Sequence, residues 1–174
     1  MAEKPEVRDH YGAHYRDFVA DVHEEVRRAA FGDDIGQNSW LTRKELERFG
    51  YQLQLKSSSR LLDVACGSGG PALHLAQLTG CEVVGVELFD EAVSNGNRIA
   101  READLEKQVS FARADASQML PFEDCSFDAI LCIDAINHLP DRGRVLADWA
   151  RLLQPAGRLL FTDPVCITGV LDSD

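Results

Sequence analysis

The chain has 174 residues, of which 45% are hydrophobic and 27% are charged, and its formal net charge is −11. This length and composition are typical of one globular protein with a single sizeable core. Proteins that bind nucleic acids neutralise phosphates with Lys and Arg, so the acidic balance argues against DNA or RNA and favours a small-molecule partner. No apolar run approaches a membrane span and segment 1–5 is polar, so we expect a cytoplasmic protein without membrane contact.

The cysteines are odd in number and widely spaced, and they occur at Cys66, Cys81, Cys125, Cys132 and Cys166. The sequence contains no CxxC pair, which argues against a disulfide framework and against a zinc site. We therefore expect mostly buried free thiols in a reducing compartment, and no metal centre.

Residues 1–59 are predicted to form a mainly helical segment. Apolar residues recur there at steps of three and four, as one face of a helix requires, at Tyr11, Tyr15, Phe18, Val19, Val22 and Val26. A loop rich in turn formers follows over 31–39. Thr42 and Glu45 then form a capping-box pattern, which predicts a second helix to about Leu55.

From residue 60 onward, short apolar strands alternate with helical segments. Strands are predicted at 60–65, 81–86, 109–112, 127–133 and 157–162. Helices are predicted from the glycine-rich turn to Leu78, at 90–103 and at 145–153. This alternation predicts an α/β fold in which right-handed crossovers build a parallel sheet over 60–174.

The first strand leads into a turn with three glycines, Gly67, Gly69 and Gly70. Glycines between a strand and a helix let the backbone turn tightly and approach a ligand closely. The turn, read through to Ala72, also satisfies the dinucleotide pattern G-x-G-x-x-A, so the glycines alone leave NAD as a candidate ligand.

Three acidic residues follow successive strands, at the edge where open α/β sheets bind ligands. Asp63 lies near the end of the first strand, where a carboxylate would repel a dinucleotide pyrophosphate and attract the cationic methionine moiety of S-adenosylmethionine (SAM). Glu87 ends the second strand and can accept hydrogen bonds from two ribose hydroxyls of either cofactor. Asp115 follows the third strand and can accept a hydrogen bond from an adenine amino group. Asp63 therefore favours SAM over NAD.

The sequence resembles the class I SAM-dependent methyltransferases, in the small-molecule branch known as methyltransferase type 11/25. The matching stretches cover nearly all of 61–164, and they are LLDVACGSGGPALHLA, VVGVELFDEAV, FARADASQMLPFEDCSFDAI, CIDAINHLPD and LLQPAGRLLFTDP. The resemblance implies a Rossmann-like three-layer sandwich with strand order 3-2-1-4-5 and an N-terminal helical lid over 1–59. The family's first motif has glycine where this chain has Ala65, a small change that should leave the pocket open.

The resemblance also implies which residues contact the cofactor. The methionine end of SAM is expected to contact the glycine turn, the first acid, the fourth strand and the lid, through Asp63, Ala65, Gly67, Gly69, Cys132, Ile133 and Tyr15. The adenosine end is expected to contact Glu87, Leu88, Asp115 and Ala116.

Methyl transfer is a one-step displacement, so the protein mainly aligns the acceptor, excludes water and removes a proton where the acceptor is a hydroxyl. His138, after the fourth strand, is the candidate general base, and its alternative role is to shape the cofactor pocket. Trp40, Asn137 and His138 are the candidate substrate contacts. The alternative for Trp40 is a packing contact before the next helix, and for Asn137 and Asp134 it is a capping role.

Family members usually continue after the fifth strand with a helix and two more strands, whereas this sequence ends at Asp174. We therefore expect an open fifth-strand edge, a candidate surface for self-association. The sequence favours a methyltransferase that converts SAM to S-adenosylhomocysteine on a small-molecule acceptor. It leaves open a SAM-binding module or truncated fragment without transfer activity and, as a weaker alternative, an NAD(P)-dependent oxidoreductase.

Overall fold

A five-stranded parallel sheet with helices on both faces forms the fold. The computed structural model describes residues 21–163 of the chain. The helices are α1 (Asp21–Phe31), α2 (Arg43–Gln52), α3 (Gly70–Thr79), α4 (Asp90–Glu102) and α5 (Arg142–Leu152). The strands are β1 (Arg60–Val64), β2 (Glu82–Glu87), β3 (Val109–Arg113), β4 (Phe127–Cys132) and β5 (Leu153–Phe161). Their order is β3-β2-β1-β4-β5, as the resemblance implied.

The alternation of side chains along the strands divides the core into two layers. Leu61 packs among residues of α2, α3 and α4. The next residue, Leu62, points to the opposite face and packs among residues of α5, including the fully buried Trp149. Neighbouring side chains of a strand point to opposite faces, so β1, which is buried over 61–64, packs against helices on both sides of the sheet.

Local capping signals set the limits of two helices. The hydroxyl of Thr42 accepts a hydrogen bond from the backbone N–H of Glu45, whose side chain in turn accepts one from the backbone of Thr42, which confirms the capping box. That helix ends at Gln52 rather than Leu55. Gly80 ends α3 with φ +76°, a left-handed conformation that favours glycine.

The fifth strand differs from its prediction, because it begins at Leu153 rather than Gly157. Phe127 pairs with Leu153 and Ala129 pairs with Arg158, so a register shift separates the two halves of β5. Phe161 is 43% exposed. Within the described residues, β5 is hydrogen-bonded only to β4, so its other edge is open.

Only part of the apolar helical face expected in the N-terminal segment falls within the described residues. Tyr11, Tyr15, Phe18 and Val19 lie outside the described residues. Val26 is 60% exposed, so at this position the expected apolar face does not enter the core.

Over residues 21–163, no helix is long and apolar enough to cross a membrane.

The ring of Phe111 in β3 occupies a socket formed by three glycines. A Cβ atom built on Gly69, Gly85 or Gly96 would overlap that ring. These glycines belong to the turn before α3, to β2 and to α4, so one aromatic side chain brings three elements together.

Asn97 of α4 fixes the backbone of Phe111 from the outer side of the sheet. Its Nδ2 donates to the Phe111 carbonyl at 2.8 Å, and its Oδ1 accepts from the Phe111 N–H at 3.1 Å. Since β3 is an edge strand, these peptide groups have no strand partner on that side. The side chain therefore replaces a missing neighbouring strand.

We expect Asn97→Ala to lower the free energy of unfolding by about 1–3 kcal/mol, because it removes both hydrogen bonds from a backbone at the margin of the core. Urea unfolding followed by circular dichroism measures the change. Ser94→Ala, at an exposed position of the same helix, is the matched control and should change stability by less than about 0.5 kcal/mol. Equal effects of the two substitutions would contradict the bridging role of Asn97.

Candidate cofactor site

The turn between β1 and α3 places three residues in left-handed backbone conformations. Ala65 has φ +56°, Gly67 has φ +56° and Gly69 has φ +82°. Glycine adopts this conformation readily, whereas an alanine there costs about 1–2 kcal/mol. Ala65 therefore carries a conformational cost that a glycine at this position would not.

Glu87, the last residue of β2, holds the glycine turn against the sheet. It is 6% exposed, and its Oε2 accepts a hydrogen bond from the N–H of Gly67 at 3.1 Å. Its Oε1 accepts from the N–H of Leu88 at 2.7 Å and from that of Phe89 at 3.4 Å. The carboxylate therefore links the two loops on either side of the expected cofactor position.

Asp63 lies in β1 beneath the glycine turn, and its carboxyl group is 2% exposed. Its Oδ2 is buried and has no hydrogen-bond partner among residues 21–163. Burial is the main cause and the nearby charge of Glu87 the second cause that raise the pKa of Asp63 to about 8. A buried carboxyl oxygen without a donor is costly, so this atom is suited to a ligand that brings a donor or a positive charge.

The loop after β3 carries the third acid. Asp115 is half-buried, and its Oδ1 accepts a hydrogen bond from the N–H of Ser117 at 2.9 Å. The following Ala116 is buried, at 9% exposure. The N–H of Ala114 donates to the carbonyl of Glu87 at 2.9 Å, which ties the start of this loop to the end of β2. Leu88, next to Glu87, is half-buried.

The end of β4 contributes Cys132, which is fully buried, and Ile133, which is half-buried. Burial raises the pKa of the Cys132 thiol to about 12, with the charge of Asp63 as the second cause. This thiol is therefore protonated at neutral pH and is no nucleophile. Backbone groups remain as the means by which this position could contact a ligand.

Asp134 joins three parts of the chain at this edge of the sheet, a role that the sequence did not reveal. Its Oδ2 accepts from the backbone N–H of Trp40 at 3.0 Å, and its Oδ1 accepts from the Thr162 hydroxyl at 2.6 Å. Its own N–H donates to the Thr162 Oγ1 at 2.8 Å. The side chain thus ties the loop before α2 to the end of β5.

Trp40 lies at this junction with its indole 84% exposed. The ring meets Phe31 edge to face, with centroids 6.2 Å apart. Asn137 and His138 lie in a 3₁₀ turn at Ile136–His138, and both are exposed. All three candidate substrate contacts are therefore exposed to solvent. Asn137 and His138 follow β4 in the chain, and Trp40 contacts Asp134 just after that strand.

The loop before α2 lies directly over the start of α3. A Cβ on Gly70 would overlap the carbonyl oxygens of Ile35 and Gly36. Gln37 is 2% exposed, and its side chain accepts from the Ile35 N–H and donates to the Leu41 carbonyl. The N-terminal segment thus reaches the glycine turn in residues 35–36, while Tyr15 lies outside the described residues.

Together, these residues form one edge of a parallel sheet with a glycine turn and two buried carboxyl groups. This arrangement defines a class of Rossmann-like proteins that bind a nucleotide-containing cofactor beyond the carboxyl ends of the strands. The methyltransferase-domain family model matches residues 62–161, and the chain belongs to this family of class I SAM-dependent methyltransferase folds.

Three known proteins illustrate the range of this similarity. The chain is 34% identical over 140 residues to 27-O-demethylrifamycin SV methyltransferase of Amycolatopsis mediterranei (strain S699), covering 80% of this chain and 51% of that protein. The crystal structure of the [4+2]-cyclase SpnF matches with TM-score 0.68 and 29% identity, over 77% of this chain and 49% of SpnF. A geranyl diphosphate methyltransferase, solved with GPP and sinefungin, matches with TM-score 0.65 and 28% identity, over 70% and 45% of the respective chains.

The chain thus spans about half the length of the curated relatives that it matches. The similarity lies in the part of the fold that carries the glycine turn and the three acids, since the family match begins at Leu62 and ends at Phe161.

The raised pKa of Asp63 predicts that the protein loses stability as pH rises. The folded state keeps the proton up to about pH 8, whereas the unfolded chain releases it near 3.8. Between these values the free energy of unfolding falls with pH, with a slope of at most about 1.4 kcal/mol per pH unit from this group. Urea unfolding from pH 5 to 9 measures the profile.

Asp63→Asn provides the comparison, because its amide is neutral throughout this range. The difference in free energy of unfolding between wild type and variant should shrink or reverse as pH rises toward 8, and level off above it. A constant difference from pH 5 to 9 would show that Asp63 does not titrate there.

Proposed function

We propose that this chain forms the cofactor-binding core of a methyltransferase that moves a methyl group from SAM to a small-molecule acceptor and leaves S-adenosylhomocysteine (SAH). The observation that carries this proposal is the buried carboxyl group of Asp63, one oxygen of which has no hydrogen-bond partner in the described part of the chain. Family membership supports the same conclusion.

The charge of the ligand separates SAM from a dinucleotide at this position. The pyrophosphate of NAD would lie against the glycine turn and meet the buried carboxyl groups of Asp63 and Glu87. The methionine part of SAM instead brings an ammonium donor and a positive sulfur. These charges favour the ionised form of Asp63 and give its unpartnered oxygen a hydrogen bond.

The remaining contacts follow from the placement of the acids around this position. Glu87 would accept hydrogen bonds from the ribose hydroxyls, since its carboxylate already faces the glycine turn through the N–H of Gly67. The other residues proposed to contact SAM lie in the glycine turn, beside the adenine, after β4 and in the lid. They are Ala65, Gly67, Gly69, Leu88, Asp115, Ala116, Cys132, Ile133 and Tyr15.

SAM would supply a methyl carbon made electrophilic by its sulfonium group. The protein then has to align the acceptor and exclude water. We assign the acceptor side to the solvent-open surface formed by Trp40, Asn137 and His138. For a hydroxyl acceptor, the imidazole of His138 would take the proton as the methyl group is transferred.

The acceptor is proposed to be a small molecule. The relatives that support this are enzymes whose names state 27-O-demethylrifamycin SV and geranyl diphosphate as the methylated compounds. The net charge of −11 argues against nucleic acid. Free thiols at Cys66, Cys81, Cys125 and Cys132 suit a cytoplasmic location.

A second candidate function is a SAM-binding module that does not transfer a methyl group. The observation that favours it is the likeness to SpnF, which is a [4+2]-cyclase with the same fold. The two functions share the cofactor site and differ only in what happens beyond the sulfur. A fold shared by different chemistries does not decide between them.

Titration calorimetry with SAM, SAH and NADH tests the cofactor. We expect SAM and SAH to bind and NADH to give no heat. Glu87→Gln should weaken SAM binding about 10- to 150-fold, the scale of a lost hydrogen bond to a charged group. The control Glu102→Gln, on the exposed end of α4, should bind like wild type.

Binding of SAM should also release protons below about pH 8, since the cation favours ionised Asp63. Calorimetry in two buffers of different ionisation enthalpy measures this release, which Asp63→Asn should abolish. NADH binding without SAM binding would refute the cofactor proposal. Methyl transfer from labelled SAM to a metabolite pool distinguishes the enzyme from the binding module, since the module yields no labelled product.

A further inference from the structure

The loop between β3 and β4 is held to α5 by one guanidinium group. Arg151 Nη1 donates to the carbonyl of Phe122 at 2.8 Å and to Asp124 Oδ1 at 2.7 Å. Its Nη2 donates to the carbonyl of Leu120 at 3.1 Å. The same side chain grips Asp148 Oδ1 through Nε at 2.9 Å and Nη2 at 2.7 Å. One side chain thus contacts three successive parts of the loop.

A second residue of α5 completes this attachment. Asp148, which pairs with Arg151, uses its other oxygen to accept from the N–H of Leu120 at 2.9 Å. Leu120 therefore has both its N–H and its carbonyl held by α5, and its side chain is 1% exposed. Arg144, a further residue of α5, donates to the carbonyl of Ser117.

The attached loop begins with the residues assigned to the adenine. Asp115 accepts from the N–H of Ser117 through its side chain and from the N–H of Gln118 through its carbonyl. The turn that orients the Asp115 carboxylate thus includes Ser117, whose carbonyl accepts from Arg144. Three residues later, the carbonyl of Leu120 accepts from Arg151. On the N-terminal side of Asp115, β3 ends at Arg113, so this aspartate is the second residue after the strand.

We propose that Arg151 is a positioning residue for adenine recognition, because its guanidinium holds the β3–β4 loop in the place where Asp115 and Ala116 can read the base edge. This inference rests on the proposed SAM site. Arg151 itself does not touch the cofactor, and it acts through the loop. Its planar fork of donors matches two carbonyls and two carboxylates at once, which a lysine ammonium on a flexible stem cannot do.

Base discrimination tests this role, since it depends on the adenine edge and not on overall stability. The ligands are SAH and S-inosylhomocysteine, which carries a carbonyl in place of the adenine amino group. Wild type should bind SAH at least about tenfold more tightly, because the inosine base offers no amino donor to Asp115. In Arg151→Met and Arg151→Lys we expect the ratio of the two dissociation constants to fall below about threefold.

Arg98→Met is the matched control, since Arg98 forms an exposed ion pair with Glu102 within α4. Its ratio should equal that of wild type. If Arg151→Met does not fold, as judged by circular dichroism, Asp148→Asn carries the test, because it weakens the grip on Arg151 and keeps an acceptor for Leu120. The ratio should fall in that variant too.

An unchanged ratio in the folded Arg151 variants, even with weaker SAH binding, would overturn the positioning role and leave Arg151 as a purely structural residue. A wild type that binds SAH but does not distinguish the two bases would also overturn it, while the cofactor proposal stands. A wild type that binds neither ligand would refute the proposed function itself.

Discussion

The constraint on which the site depends is the burial of two carboxyl groups at one edge of the sheet. Asp63 and Glu87 come from neighbouring parallel strands, and each is almost inaccessible to solvent. Glu87 is stabilised by three backbone donors, whereas one oxygen of Asp63 finds no donor within the described segment 21–163. The free-energy cost of burying these carboxyl groups therefore falls mainly on Asp63. A cation next to the Asp63 carboxyl group would lower the cost of its ionised form, so the proposed site would favour a ligand that carries a positive charge.

Around this pair, the fold separates rigid support from the surfaces that meet ligands. The strands and their two apolar layers fix the positions of the acids. The loops after β1, β3 and β4 are then tied back to the scaffold by individual polar side chains, which are Glu87, Arg151 and Asp134 respectively. Each of these ties runs between elements that are distant in the sequence. The precision of the site therefore depends on a few long-range hydrogen bonds rather than on the hydrophobic core alone.

The fold was predictable because its signals are local and periodic. The capping box at Thr42, the stop at Gly80 and the apolar strands each act over a few residues, and the structure agrees with them closely. The start of β5 was not predictable, because residues 153–156 become strand only by pairing next to Phe127 across a register shift. The positions of the acids followed from strand ends. The protonation of Asp63 did not, since it depends on burial from several sides.

The partnerships of Asp134, Gln37 and Arg151 were likewise hidden from the sequence. Asp134 contacts a residue 94 positions away, and no composition or spacing signals such a pair. The sequence left this aspartate as either a capping residue or an acceptor contact. The structure shows that its side chain joins Trp40 and Thr162, an architectural role that neither alternative named.

The aromatic ring in the three-glycine socket restricts how this protein can change over time. A side chain can be added at position 69, 85 or 96 only after the ring at position 111 has become smaller, since the two would otherwise occupy the same volume. A reduction at position 111 alone would leave a void flanked by three residues that have no side chains to fill it. Substitution at these four sites must therefore proceed jointly and in a particular order, which makes the quartet a barrier to gradual drift and a unit that protein engineers would have to redesign together.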